Sequence, residues 1–141
     1  MGEMMGLNAM SALWARTALI WFATVVSLGL YMGINEQFQF APAHAHIGVL
    51  GWLSSAAFAF LHSIAREVRP GSRAGLLHWA AHTLGTAMMT GGLFAALGLG
   101  YASLMELVRM GAILIVLSVF WAAIMFWPRL SPRTADPSAR A

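Results

Sequence analysis

Five histidines supply most of the metal-ligand chemistry in this chain of 141 residues, which contains no cysteine. Thiolate sites and iron–sulfur clusters of the usual kind are thereby excluded, leaving imidazole and thioether as the soft or borderline ligands. Two of the histidines lie in Ala41-Pro42-Ala43-His44-Ala45-His46-Ile47-Gly48-Val49-Leu50-Gly51-Trp52. On a helix, residues two apart point ~200° away from each other. His44 and His46 therefore cannot serve one metal from one face. Either they address two centres, or one binds a metal while the other hydrogen-bonds elsewhere. Below His44 the face continues through Gly48, Gly51, Ser55 and Ala59 to His62. Such small residues leave room for a flat macrocycle, which points to haem. His46 leads instead toward Leu50, Leu53, Ala57 and Phe60. The plainer alternative is a pair of histidines at the headgroup level above glycines that serve helix packing.

His78 and His82 are spaced i, i+4 and share a helix face, at a depth similar to that of His62. The three imidazoles form a candidate second site for copper or zinc, or for a second haem. Alternatively, they reach the membrane surface or hydrogen-bond between helices. The pattern of helical zinc proteases is absent, because no glutamate lies between His78 and His82. Glu106 and Arg109 open the last apolar segment. Arg109 can neutralise haem propionates, or simply pair with Glu106 at i, i+3. Met32 and Met105 fall at the level of His44 and offer thioether ligands, although methionines in such a chain also serve packing.

The elements that must position these groups are written in hydrocarbon. The chain is 60% apolar and 9% charged, far from the ~25% charged residues of soluble domains. Four apolar segments, 13–34, 43–65, 76–100 and 104–127, each approach or exceed the ~20 residues that cross a bilayer. They predict an all-α, integral membrane four-helix bundle. The basic residues are eight arginines and no lysine. Arg16, Arg66, Arg69, Arg73, Arg129, Arg133 and Arg140 fall on one side of a four-span layout, with Arg109 the exception. This places both termini in the cytoplasm and the His44 end outside. Clustering at segment ends also argues against a nucleic-acid partner. Trp14, Trp79 and Trp127 at the inner ends, with Tyr31 and Tyr101 at the outer ends, fit an aromatic belt. Small residues, Gly85, Gly92 and Ala96 on the third segment, mark a close helix contact. The first segment is longer than the core of a cleaved signal peptide. Residues 1–130 read as one haem-binding membrane domain, and 131–141 as a disordered cytoplasmic tail.

The stretches GLYMGINEQFQFAPAHAHIGVLGWLS and LHWAAHTLGTAMM, with the four-span layout, resemble small bacterial cytochrome c oxidase subunit I-like proteins, relatives of the haem–copper oxidase superfamily. Where those relatives often carry Leu-Asn-Leu after the second histidine, this chain has Ile47-Gly48-Val49. In the superfamily, one helix carries a His-x-His pair whose members ligate two haems. The resemblance implies that role for His44 and His46 as ligands of haem b iron, with Gly48 and Gly51 beside the cofactor and Arg109 on its propionates. No counterpart of the copper-site tyrosine is evident, so a complete oxidase site is not expected, and any activity would be that of an oxidoreductase. Twelve helices in three arcs of four imply a homotrimer, with a dimer as the alternative, and haem shared between His44 of one copy and His46 of the next. The expected function is electron transfer or binding of O2 or NO in the bacterial cytoplasmic membrane, with a separate redox partner. Two alternatives are a copper or zinc protein for trafficking or oxidase assembly, and a structural membrane subunit.

Overall fold

The computed structural model describes residues 8–65 and 73–130, so the expected tail at 131–141 and most of the arginine-rich connection at 66–73 lie outside the described residues. The described residues are almost entirely helical, without strands. They form four rods: α1 (Ala9–Asn35), α2 (Phe38–Ile64), α3 (residues 73–98) and α4 (Ala102–Arg129). Three of them, α1, α2 and α4, are long and apolar enough to cross a membrane. The expectation of four apolar membrane-crossing segments is met less fully by α3, which is not among these three. It is long enough, but it carries His78, His82, Thr83, Thr86 and Thr90. Outward-facing positions are occupied by large apolar residues such as Ile20, Leu30, Phe60, Ile113 and Ile124, a surface suited to lipid rather than water.

Local chemistry accounts for the rod ends. Asn8 caps α1 by accepting from the Ser11 amide at 2.8 Å. Its own amide donates to the His62 carbonyl at 2.6 Å, and Ser11 Oγ donates to the Ala59 carbonyl at 2.8 Å. Two polar residues thus fasten the start of α1 to the end of α2. At the other end Glu36 takes a left-handed conformation, φ 53°, and its N–H returns to the Met32 carbonyl. A 3-10 turn at Phe38–Phe40 then leads into α2, where Pro42 occupies the first helical turn and needs no amide partner.

Two features of packing position the site. First, α2 is not a regular helix: Ile47–Leu53 is π-helical, and the Ser54 N–H reaches back to Val49. The wider turn shifts the phase of everything below it, so the buried stripe runs Ala43, Ile47, Gly51, Ser55, Ala59, His62. Second, α3 and α4 meet backbone to backbone. A methyl group on Gly111 would lie 2.6 Å from the Met89 amide nitrogen and the Gly85 carbonyl, and one on Gly92 would lie 2.7 Å from Val108. Gly85, Gly92 and Ala96 are all buried, so the small-residue face read from the sequence is the α3–α4 contact.

The core divides in two. At the His62 end Met10, Trp14, Phe58, Ala59, Ala122, Met125 and Phe126 pack together. At the His44 end Ala43, Leu93 and Val108 form a smaller cluster, flanked by Met89, Phe94 and Met105. Trp14 is fully buried in the first cluster. It is therefore not part of an aromatic belt, because α1 turns this face toward α2, α3 and α4. Trp127 is 83% exposed and does suit an interfacial position.

Candidate functional site

His44 and His46 flank the buried stripe of α2 on opposite sides, and each opens into its own groove. The His44 ring lies on α1, where a methyl group added to Gly29 would come within 2.8 Å of Cε1. Its groove, about 360 Å³, is lined by Val25, Val26, Gly48, Trp52 and Leu53. Its Nδ1 is buried and, among the described residues, has no hydrogen-bond partner. Gly48 therefore sits beside His44 as expected. Gly51 does not, because the Trp21 ring covers it, 2.7 Å from where a methyl group on Gly51 would lie. The regular-helix reading of that face fails at the π turn.

His46 faces the other way, over a groove of about 390 Å³ lined by Ala45, Leu50, Met89, Ala112, Ile115 and Val116. Its Nδ1 stands 2.7 Å from the Pro42 carbonyl. A carbonyl can only accept, so Nδ1 carries the hydrogen and the lone pair of the neutral ring is on Nε2. Among the described residues Nε2 makes no hydrogen bond. This is the arrangement in which a backbone carbonyl fixes the tautomer and orientation of a metal-binding imidazole. The backbone of the preceding turn supplies it, so no other side chain is required.

Arg109 and Glu106 form an ion pair on the first turns of α4, with side chains 64% and 71% exposed. Arg109 shares the i, i+3, i+7 spacing of one helix face with Ala112 and Val116, which line the His46 groove, but does not itself line it. Met32 is buried, Met105 packs on the Ala43 cluster, and neither lines a histidine groove.

The other three histidines do come together, but inside the bundle. His62, His78 and His82 are 2%, 1% and 1% exposed, so none reaches the surface. They surround Trp14, with ring centroids 6.4, 5.0 and 5.6 Å from it. Phe58 meets His78 and His82 edge-on, and Phe126 meets His62 in the same way. His82 is held between helices: Nε2 donates to the Leu50 carbonyl and Nδ1 faces Ser118 Oγ, both at 3.0 Å. By contrast, both ring nitrogens of His62 and of His78 are buried without partners among the described residues, as are Trp14 Nε1, Ser55 Oγ and Thr86 Oγ1. Each such group left unsatisfied costs about 1–3 kcal/mol. Among the described residues no set of three or more His, Cys, Asp or Glu is arranged to hold a metal ion.

Sequence reasoning missed Gly29, Trp14, Thr86 and Ser118. Only Thr86 left a signal, as the next i+4 step after His78 and His82. Nothing in the order of residues brings Gly29 to His44 or Trp14 to the three histidines. No known protein family, curated protein or solved structure matches this chain.

Proposed function

We propose that the protein is a membrane b-type haem protein that carries electrons or binds a small gas, built like one four-helix unit of haem–copper oxidase subunit I. The observation that carries this reading is His46: its Nδ1–H is tied to the Pro42 carbonyl, which leaves Nε2 available beside an apolar groove. The groove has the volume of a small-molecule site and the predominantly hydrocarbon walls typical of one. Arg109, on the helix face of Ala112 and Val116, supplies a cation for propionate carboxylates. Haem held there by His46 would provide reversible one-electron chemistry or binding of O2 or NO.

Within this proposal all four rods span a bacterial cytoplasmic membrane with both termini inside, following the arginine distribution. A second imidazole for the haem would come from another copy. His44 and His46 open on opposite sides of an exposed α2 ridge that includes Val49 and Leu53. A neighbour packed on that ridge can set its His44 groove against the His46 groove, in a trimer or a dimer. The copper or zinc alternative draws less support, because His82 uses both ring nitrogens in contacts between helices.

A pyridine haemochrome assay on purified protein should show haem b, and His46→Ala should abolish its Soret band. A colourless wild-type preparation, or a His46→Ala variant with the wild-type spectrum, overturns the reading.

A further inference from the structure

The polar residues on the inner face of α3 do not behave as helix glue. His78, His82, Thr86 and Thr90 descend that face in steps of four, all at most 3% exposed. Ser55 and His62 of α2, Trp14 of α1 and Ser118 of α4 complete a polar interior. Polar residues that bind membrane helices together do so through hydrogen bonds across the contact. Within this set His82 makes such bonds, to Ser118 and to the Leu50 carbonyl, while among the described residues the nitrogens of His62 and His78 and the hydroxyls of Ser55 and Thr86 are unpartnered. Buried donors and acceptors left without partners, as at His62, His78, Ser55 and Thr86, are the groups that bound water satisfies.

The far end of this set is built differently. Ser118 Oγ donates to the Ile115 carbonyl at 2.8 Å and stands 3.0 Å from His82 Nδ1. With the Leu50 carbonyl on Nε2, both nitrogens of a doubly protonated His82 would face oxygen acceptors. Leu50 and Ile115 also line the His46 groove. No aspartate, glutamate or arginine is among the buried described residues. The groups facing the trio are Trp14 and Phe58 with Ser118 and Phe126.

We infer that His62, His78 and His82 form a hydrated proton-transfer file that runs from the His62 end of the bundle to the floor of the His46 groove. The imidazoles of His78 and His82 are neighbours on the inner face, 6.3 Å apart between centroids. At His62 and His78 one N–H bond forms on the receiving nitrogen and one breaks on the far nitrogen of the same ring, so the ring stays neutral with its tautomer reversed. At His82 the proton arriving on Nδ1 joins the Nε2–H already held by the Leu50 carbonyl and leaves an imidazolium, and no electron moves. His82 is the terminal acceptor. Intramembrane histidines in such chains are the usual material of proton relays. The file does not require haem, but where haem is bound it places a proton donor beneath it.

The test uses the full chain with ¹⁵N-labelled histidine in lipid nanodiscs. Water-edited spectra should show contact between water and the His62 and His78 nitrogens, and proton exchange at His82 Nδ1 should slow tenfold or more in His78→Phe. Should that variant fail to purify as a monodisperse species, His62→Phe serves the same comparison. The file is overturned if the His62 and His78 nitrogens have no water contact, or if His82 exchanges at the wild-type rate in the variant. Neither readout depends on haem, so failure of the haem reading shows separately as a colourless preparation.

Discussion

The two ends of the bundle use the same side chain in opposite ways. At one end His44 and His46 sit half-buried beside open grooves, and a backbone carbonyl holds His46. At the other, His62, His78 and His82 are enclosed among Trp14, Phe58 and Phe126. The difference follows from helix phase. His44 and His46 lie either side of the buried stripe of α2, whereas His62 lies in it and His78 and His82 lie in that of α3. Open histidines with apolar walls call for a partner from outside the chain. Enclosed histidines can exchange only small species, water and protons, with their surroundings.

Several substitutions bear on this contrast, and the largest effect removes the frame common to both ends. Gly111→Leu forces side-chain atoms into the Gly85 carbonyl and the Met89 amide, where backbone cannot yield. Overpacking costs least where neighbouring side chains can move aside; here all three atoms nearest the new side chain are backbone, so the two helices must separate to admit it. The variant should lose its monodisperse peak on size exclusion in detergent, and an unchanged elution and melting temperature would show that the α3–α4 contact is looser than described.

Trp14→Ala should come next, because it empties the centre of the enclosed end. Removing a buried tryptophan costs about 3–5 kcal/mol in well-packed cores, and a large fall in melting temperature is expected. Trp127→Ala, at a residue 83% exposed, should leave melting unchanged. Equal effects from the two would dissolve the distinction between core and interface tryptophans.

Gly29→Leu acts on the open end alone. It fills the place of the His44 ring and should alter the haem spectrum while shifting the melting temperature far less than Trp14→Ala does. A wild-type spectrum would remove the His44 seat from the account. Arg109→Leu should give the smallest change: a few-fold weaker haem retention, in keeping with about 0.5–1 kcal/mol for an exposed charge contact, with no loss of thermal stability. Titration of haem into the apoprotein measures it.

Much of the fold is readable from residue order. The rods begin and end within a few residues of the apolar segments, since Asn8, the Glu36 turn and the turn at Gly100 act through local chemistry. The opposed directions of His44 and His46 follow from helical spacing alone, and the two separate grooves agree with it. The π turn at Ile47–Leu53 is not legible, because a single surplus residue leaves composition and hydropathy unchanged. It explains why Gly51 meets Trp21 instead of lining the His44 groove. Trp14 is hidden for a related reason: a tryptophan near a segment end reads as interfacial until the approach of α2 and α3 is known. The polarity of α3 is visible in the sequence, where it suggests metal chemistry; in the fold it is an inward stripe.

The central claim, a haem held by His44 of one copy and His46 of another, is tested most directly by complementation. His44→Ala and His46→Ala chains are expressed separately and together, and the haem content and reduced-minus-oxidised spectrum of each preparation are measured. Each variant alone should lack the six-coordinate spectrum. Together they should regain part of it, since an interface between unlike copies pairs an intact His44 with an intact His46. Wild-type spectra from the single variants, or no recovery on co-expression, would contradict the account.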